Sequence, residues 1–120
     1  MRVVAGSARG RQLKGPKGPG TRPVMDRVKT ALFDILVPDI RDTRFLDLFA
    51  GTGGIGIEAL SRGAAAATFV ELSADAVKLV HENLTLTRLT AHAEVHRADA
   101  FAFLGSAAAT GRRYDMVYVA

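Results

Sequence analysis

The chain has 120 residues, 48% hydrophobic and 23% charged, which suits one globular domain and excludes a disordered or collagen-like chain. It contains no cysteine, so a disulfide framework and cysteine zinc sites are excluded, and a reducing, cytoplasmic setting with no metal is the expectation. No run of about 18 apolar residues occurs, and residues 1–10 are basic and glycine-bearing rather than an apolar signal core, so a soluble protein with no membrane partner is expected.

The net charge of +4 is concentrated at one end. Arg2, Arg9, Arg11, Lys14, Lys17, Arg22, Arg27 and Lys29 stand against Asp26 alone in residues 1–29, giving +7, while the remainder sums to −3. A cationic arm on a mildly acidic body suits a polyanionic partner, because each phosphate neutralised releases condensed counterions. The alternative is a solvated tail, since the arm has no aromatic side chain on which a base could stack.

Along the chain, residues 2–5 and 9–13 read as two short strands around Gly6-Ser7, a small β-hairpin. Residues 15–20, Gly-Pro-Lys-Gly-Pro-Gly, can neither extend a ladder nor start a helix and form a flexible linker. Val28, Ala31, Leu32, Ile35 and Leu36 recur at helical spacing, predicting a helix over 24–36 that Pro38 ends. The division expected is a basic arm over 1–23 and a ligand-binding domain over 24–120.

From there short apolar strands alternate with helices, the pattern of a parallel sheet with crossover helices. Strands are predicted over 44–49, 67–71, 93–97 and 114–119, and helices over 54–62, 74–87 and 99–107, with Ser73 capping the second helix and Gly63 ending the first. The last strand is expected at the centre of the sheet. Central strands need neighbours on both sides, so the 120 residues read as the front portion of a larger α/β domain.

Gly51, Gly53 and Gly56 satisfy the dinucleotide spacing G-x-G-x-x-G, after a strand and opening a helix, and Glu71 stands 20 residues past Gly51 where an acid accepts ribose hydroxyls. That loop alone leaves an NAD-dependent oxidoreductase and an S-adenosylmethionine site open. Asp47, four residues before Gly51, separates them. Beside a pyrophosphate it would meet like charge, a repulsion of roughly 3 kcal/mol at about 5 Å and an effective dielectric of about 20, whereas beside an ammonium or sulfonium it attracts. Asp99 follows the third strand, placed to accept from an adenine amine while the Ala100 amide donates to a ring nitrogen. Each acid also has a structural reading: Asp47 capping the next helix, Glu71 a solvated strand end, Asp99 a helix N-cap. His81, His92 and His96 read as surface residues, and Tyr114, Tyr118 and the phenylalanines as core.

The segments Met1-Arg2-Val3-Val4-Ala5-Gly6-Ser7-Ala8-Arg9-Gly10-Arg11, Thr21-Arg22-Pro23 and Asp26-Arg27-Val28-Lys29-Thr30-Ala31-Leu32-Phe33, then Leu46-Asp47-Leu48-Phe49-Ala50-Gly51-Thr52-Gly53, Phe69-Val70-Glu71 and Glu82-Asn83-Leu84, resemble the RsmD-type methyltransferases. The resemblance implies a Rossmann-like class I methyltransferase fold with S-adenosylmethionine as cofactor, held by Asp47, Phe49, Gly51, Gly53, Glu71, Leu72, Asp99 and Ala100. It further implies methylation of the exocyclic N2 of a guanine in small-subunit ribosomal RNA, as free RNA or an assembling subunit. Arg2, Arg9, Arg11, Lys14, Arg22 and Arg27 would meet the RNA, with Thr21, Arg22 and Asp26 over the active-site mouth, and a monomer is expected. The family's catalytic motif would begin at Ala120, where it usually has an acid or asparagine, so no catalytic side chain is assigned. A non-catalytic or cofactor-regulated RNA-binding module remains the alternative.

Overall fold

The computed structural model describes residues 1–15, 23–36 and 39–119, apart from the side chains of residues 23–25 and 36. Four parallel strands, β1 (Arg44–Leu48), β2 (Ala66–Glu71), β3 (Ala93–Arg97) and β4 (Met116–Val119), lie in the order β3-β2-β1-β4. Helix α1 (Pro23–Ala31) precedes the sheet, and α2 (Gly54–Ser61), α3 (Ala74–Thr87) and α4 (Ala100–Ala109) connect its strands. The predicted α/β alternation is therefore present.

Alternation along β1 divides the core into two layers. Phe45 faces α2 and α3, where Phe69, Ile57, Val80 and Leu84 join it, while Leu46 and Leu48 face α4 and pack with Val70, Phe103 and Ala107. Ser73 caps α3 by accepting from the Ala76 amide at 3.3 Å, and Gly63 follows α2 with φ 107°. The predicted helix over 24–36 is α-helical only to Ala31. Its continuation, Leu32–Leu36, is a π-helical turn that buries Phe33 beneath the Arg62 guanidinium, 5.1 Å above the ring centroid, while Asp34 pairs with the same arginine.

Among the described residues β4 lies at an edge of the sheet, beside β1; the expected central place belongs to a larger sheet than these strands form. A central place needs a second neighbour, and the described residues supply none, so Val117 and Val119 are left exposed. The N-terminal hairpin is reduced to one antiparallel bridge, Arg2 with Gln12, around a compact turn. The Val3, Gly10 and Leu13 amides still donate across the arm to the Arg11, Val3 and Met1 carbonyls at 3.0, 2.8 and 2.8 Å. The Val4 and Ala5 amides instead donate to the Glu58 carboxylate at 2.9 and 3.1 Å, and the Ser7 and Ala8 amides to the Ser61 carbonyl and hydroxyl at 2.8 and 2.9 Å. Met1, Val3, Ala8 and Leu13 are buried in the same core as the sheet. The linker predicted over 15–20 lies outside the described residues except for Gly15, as does Pro38.

Gly6 is where the arm comes closest to α2. It has φ 86°, and a Cβ there would fall 1.8 Å from the Ser61 carbonyl oxygen. Gly10 has nearly the same φ, 85°, with open space around it. Gly10→Ala should therefore cost only the left-handed penalty, about 1–2 kcal/mol. Gly6→Ala should cost about 3 kcal/mol or more, because backbone must move, and urea denaturation of the two variants measures the difference.

Candidate cofactor site

The strand order brings three acids to the carboxyl edge of the sheet in the sequence Asp99, just after β3, Glu71, the last residue of β2, and Asp47, next to last in β1. Adjacent strands lie about 4.8 Å apart, so the row spans about 10 Å, the crevice in which open α/β sheets hold ligands.

Asp47 is 2% exposed, and its Oδ2 accepts from the Gly56 amide in the first turn of α2 at 3.1 Å. Among the described residues no lysine or arginine pairs with it. Burial, aided by the nearby Glu71 charge and opposed by the Gly56 hydrogen bond, pushes its carboxyl up to about 7. Glu71 accepts from the Gly51 amide through Oε1 and from the Ser73 amide through Oε2, both at 2.9 Å, so it holds the glycine loop to the end of β2. Asp99 Oδ2 caps α4 through the Ala102 amide at 2.9 Å. Asp47 and Asp99 thus bind helix amides as their structural readings expected, whereas Glu71 is not a solvated strand end but a tie to the loop. Each keeps lone pairs to spare, since a carboxylate has about four acceptor sites.

A pocket of about 210 Å³ opens beside Asp47, lined by Met1, Phe49, Gly51, Thr52 and Tyr118 among others. Its size suits an amino-acid end rather than a whole nucleoside. Gly51 and Gly53 have φ 59° and 86°, and a Cβ on Gly56 would fall 2.3 Å from the Phe69 ring, so this glycine lets α2 approach β2. Phe49, 48% exposed with φ 59°, turns out from the end of β1, and Leu72 is exposed beyond Glu71. Ala100 is buried at the start of α4. A larger hollow of about 390 Å³ lies at the amino ends of the strands, between Arg44, Thr68, Glu94 and Arg112, and is crossed by the Arg112–Glu94 pair at 3.0 Å. It is the wrong end of the sheet for a ligand.

Of the expected RNA-facing residues, Arg2, Arg9, Arg11, Lys14 and Arg27 are exposed, and Arg22 lies outside the described residues, as does Ala120. Arg2 and Lys14 also pair with Asp26 and Glu82 at 3.7 and 3.3 Å. Lys29 does not share in the arm's cationic surface: it is wholly buried, donates to the Arg2 carbonyl oxygen and meets Glu58 at 3.3 Å. His81 and His92 are exposed as expected, but His96 is half-buried with its ring 5.1 Å from that of Phe103, because β3 turns it under α4. Phe33, Phe45, Phe69 and Phe103 are core, whereas Phe49 and Phe101 are exposed. Tyr118 is a half-buried wall of the Asp47 pocket, since β4 pairs Tyr118 with Asp47 in register. Met1 and Thr52 were not anticipated as pocket walls. Nor was Tyr118, expected in the core, and no pattern in the sequence marks Met1. No group of three or more metal-ligating side chains occurs among the described residues, and no described helix is long and apolar enough to cross a membrane.

Parallel order, crossover helices and the acid-lined carboxyl edge define the Rossmann-like fold of class I methyltransferases. A family model described as conserved hypothetical protein 95 matches residues 1–120, and the chain belongs to this family, the RsmD family. It is 48% identical over 108 residues to YlbH of Bacillus subtilis, covering 90% of this chain and 59% of that protein. It is 41% identical over 119 residues to ribosomal RNA small subunit methyltransferase D of Escherichia coli K12, covering 99% and 58%. A solved structure of a hypothetical protein from Thermus thermophilus superposes with a TM-score of 0.83 at 41% identity, over 98% of this chain and 66% of that one. The chain thus spans less than two thirds of the curated relatives it matches.

The raised Asp47 carboxyl makes a stability prediction. Its folded value, about 7, lies above the ordinary 3.8, so between those values the folded state binds the extra proton and stability falls as pH rises, levelling off above 7. Asp47→Asn, which can still accept from Gly56, should match wild type near pH 4 and exceed it by up to about 4 kcal/mol at pH 8, from about 1.36 kcal/mol per unit. Chemical denaturation of both proteins across that range measures it; an advantage over wild type no larger at pH 8 than at pH 4 would contradict the buried, unpaired carboxylate.

Proposed function

We propose that the protein is an S-adenosylmethionine-dependent ribosomal RNA methyltransferase acting in the cytoplasm, with the exocyclic N2 of a small-subunit guanine as its target. One observation carries the choice of cofactor. The loop amides that a pyrophosphate would need are already engaged by carboxylates, Gly56 by Asp47 and Gly51 by Glu71. A glycine loop filled this way repels phosphate and attracts a cation. The literal dinucleotide spacing is thus turned to the opposite charge.

The residues present fit the group. Asp47 and the Gly51–Thr52 backbone would hold the cationic methionine end, the spare lone pairs of Glu71 the ribose hydroxyls, and Asp99 with the Ala100 amide the adenine, with Leu72 and Phe49 as apolar walls. S-adenosylmethionine, when bound, would supply a sulfonium methyl for the guanine amine, the sulfur keeping the electron pair of the broken bond and the amine giving up one proton to water. The contribution of this chain would be positioning, with Asp47 and the loop backbone holding the cationic end of the bound group. In the family's pattern the motif that orients the amine would start at Ala120, so no side chain of this sequence is assigned that role. Arg2, Arg9, Arg11, Lys14, Arg22 and Arg27 would neutralise RNA phosphates, which sets register without reading sequence. The rRNA-methyltransferase name of the Escherichia coli relative supports this reading.

Full-length protein should bind S-adenosylhomocysteine and transfer methyl groups to small-subunit rRNA, the product nucleoside identifying N2 by mass spectrometry. Asp47→Asn should weaken S-adenosylhomocysteine by about 30- to 100-fold, the loss of a charge-assisted contact worth roughly 2–3 kcal/mol. Tight NAD binding, or RNA binding without methyl transfer, would contradict the proposal in favour of an oxidoreductase or a non-catalytic RNA-binding module.

A further inference from the structure

We infer that Asn83 is a positioning residue that ties the cofactor loop to the RNA-facing arm, so that ligands on the two strengthen each other's binding. The inference rests on the methyltransferase reading above. Asn83, on α3, is wholly buried. Its Nδ2 donates to the Thr52 carbonyl oxygen at 2.9 Å and to the Lys14 carbonyl oxygen at 3.1 Å, and its Oδ1 accepts from the Lys14 amide at 2.7 Å. Thr52 lines the Asp47 pocket, and Lys14 is an exposed base of the arm.

The residue type is specific to this task. Two carbonyl oxygens need donors and one amide needs an acceptor, and only a side-chain amide offers both at this reach. An aspartate would set a carboxylate against both carbonyls, and a leucine would leave all three groups unanswered.

The arm touches the pocket a second time, at its other end. Met1 is buried as a pocket wall, and a Cβ on Gly54 would fall 2.9 Å from both its Sδ and its Cε. Between the two contacts the arm is fixed to α2 by Glu58 and Ser61. The arm therefore cannot shift on RNA without moving the Met1 wall and the Thr52 carbonyl. A ligand that orders one end lowers the ordering cost at the other, and such coupling is reciprocal by thermodynamic necessity.

Calorimetry on the full-length protein tests this, measuring S-adenosylhomocysteine affinity alone and with a saturating transcript of small-subunit rRNA. Wild type should bind about fivefold or more tighter with RNA, at the lower end of ordinary coupling. Asn83→Leu should bind about tenfold more weakly and show no gain from RNA. Asn83→Asp, which keeps an acceptor for the Lys14 amide, should change in the same direction. Ser61→Ala loses bonds to the Ala8 amide and the Ala5 carbonyl of the arm but none to the loop, and should keep wild-type affinity for S-adenosylhomocysteine without RNA. Wild type that binds S-adenosylhomocysteine with no gain from RNA overturns the inference, as does an undiminished gain in the Asn83 variants. Equal weakening by Ser61→Ala and Asn83→Leu also overturns it, because general loosening would then be the cause. Wild type with no affinity for S-adenosylhomocysteine overturns the methyltransferase reading itself and the inference with it.

Discussion

A carboxylate sealed between a strand and the first turn of a helix sets the electrical character of the site. Asp47 sits where the positive end of α2 would otherwise face the crevice, and it takes the Gly56 amide for itself. Burial makes its charge costly, which is why its carboxyl is pushed up to about 7 with no lysine or arginine beside it among the described residues. A cation would relieve a site strained in this way, and under the proposed function the penalty in the free protein would become part of the selectivity for the ligand.

The second buried electrostatic feature is structural. Lys29 and Glu58 are both inaccessible to solvent and 3.3 Å apart, and Glu58 also accepts from two arm amides and from Arg62 at 2.9 Å. A buried pair repays its desolvation only when the remaining lone pairs are satisfied, and here backbone amides of the arm satisfy them. The arm is thereby a wall of the domain and a cationic surface at once, with its backbone and apolar side chains turned inward and Arg9, Arg11 and Lys14 outward.

Much of the sheet was readable in advance, because parallel strands buried on both faces are short apolar runs and the turns between them carry cap residues. The bounds of β3 and α3 coincide with those expected, and Ser73 and Asp99 cap as their positions suggested. What stayed hidden depends on contacts between distant residues. Lys29 resembles the other seven bases of the N-terminal region until Glu58 is brought against it. Tyr118 reads as core because the offset of β4 against β1, which sets it beside Asp47, is not written in either strand alone. The arm reads as a regular hairpin because all its amides look available for a ladder, whereas Val3, Gly10 and Leu13 bond across it and Glu58 and Ser61 take those of Val4, Ala5, Ser7 and Ala8. The three acids were recognised, but their bonds to the loop and helix amides, which decide what the loop can hold, needed coordinates.

The most direct test of this account is proton release on cofactor binding. Calorimetry of S-adenosylmethionine with full-length protein at pH 7, in buffers of different ionisation enthalpy, counts the protons. A carboxyl poised at about 7 is half-protonated there, and a cation beside it should drive off about half a proton per molecule bound. The release should fall away toward pH 9 and be missing in Asp47→Asn. Binding without proton release at pH 7, or the same release in Asp47→Asn, would contradict the claim that Asp47 is the group that receives the cation.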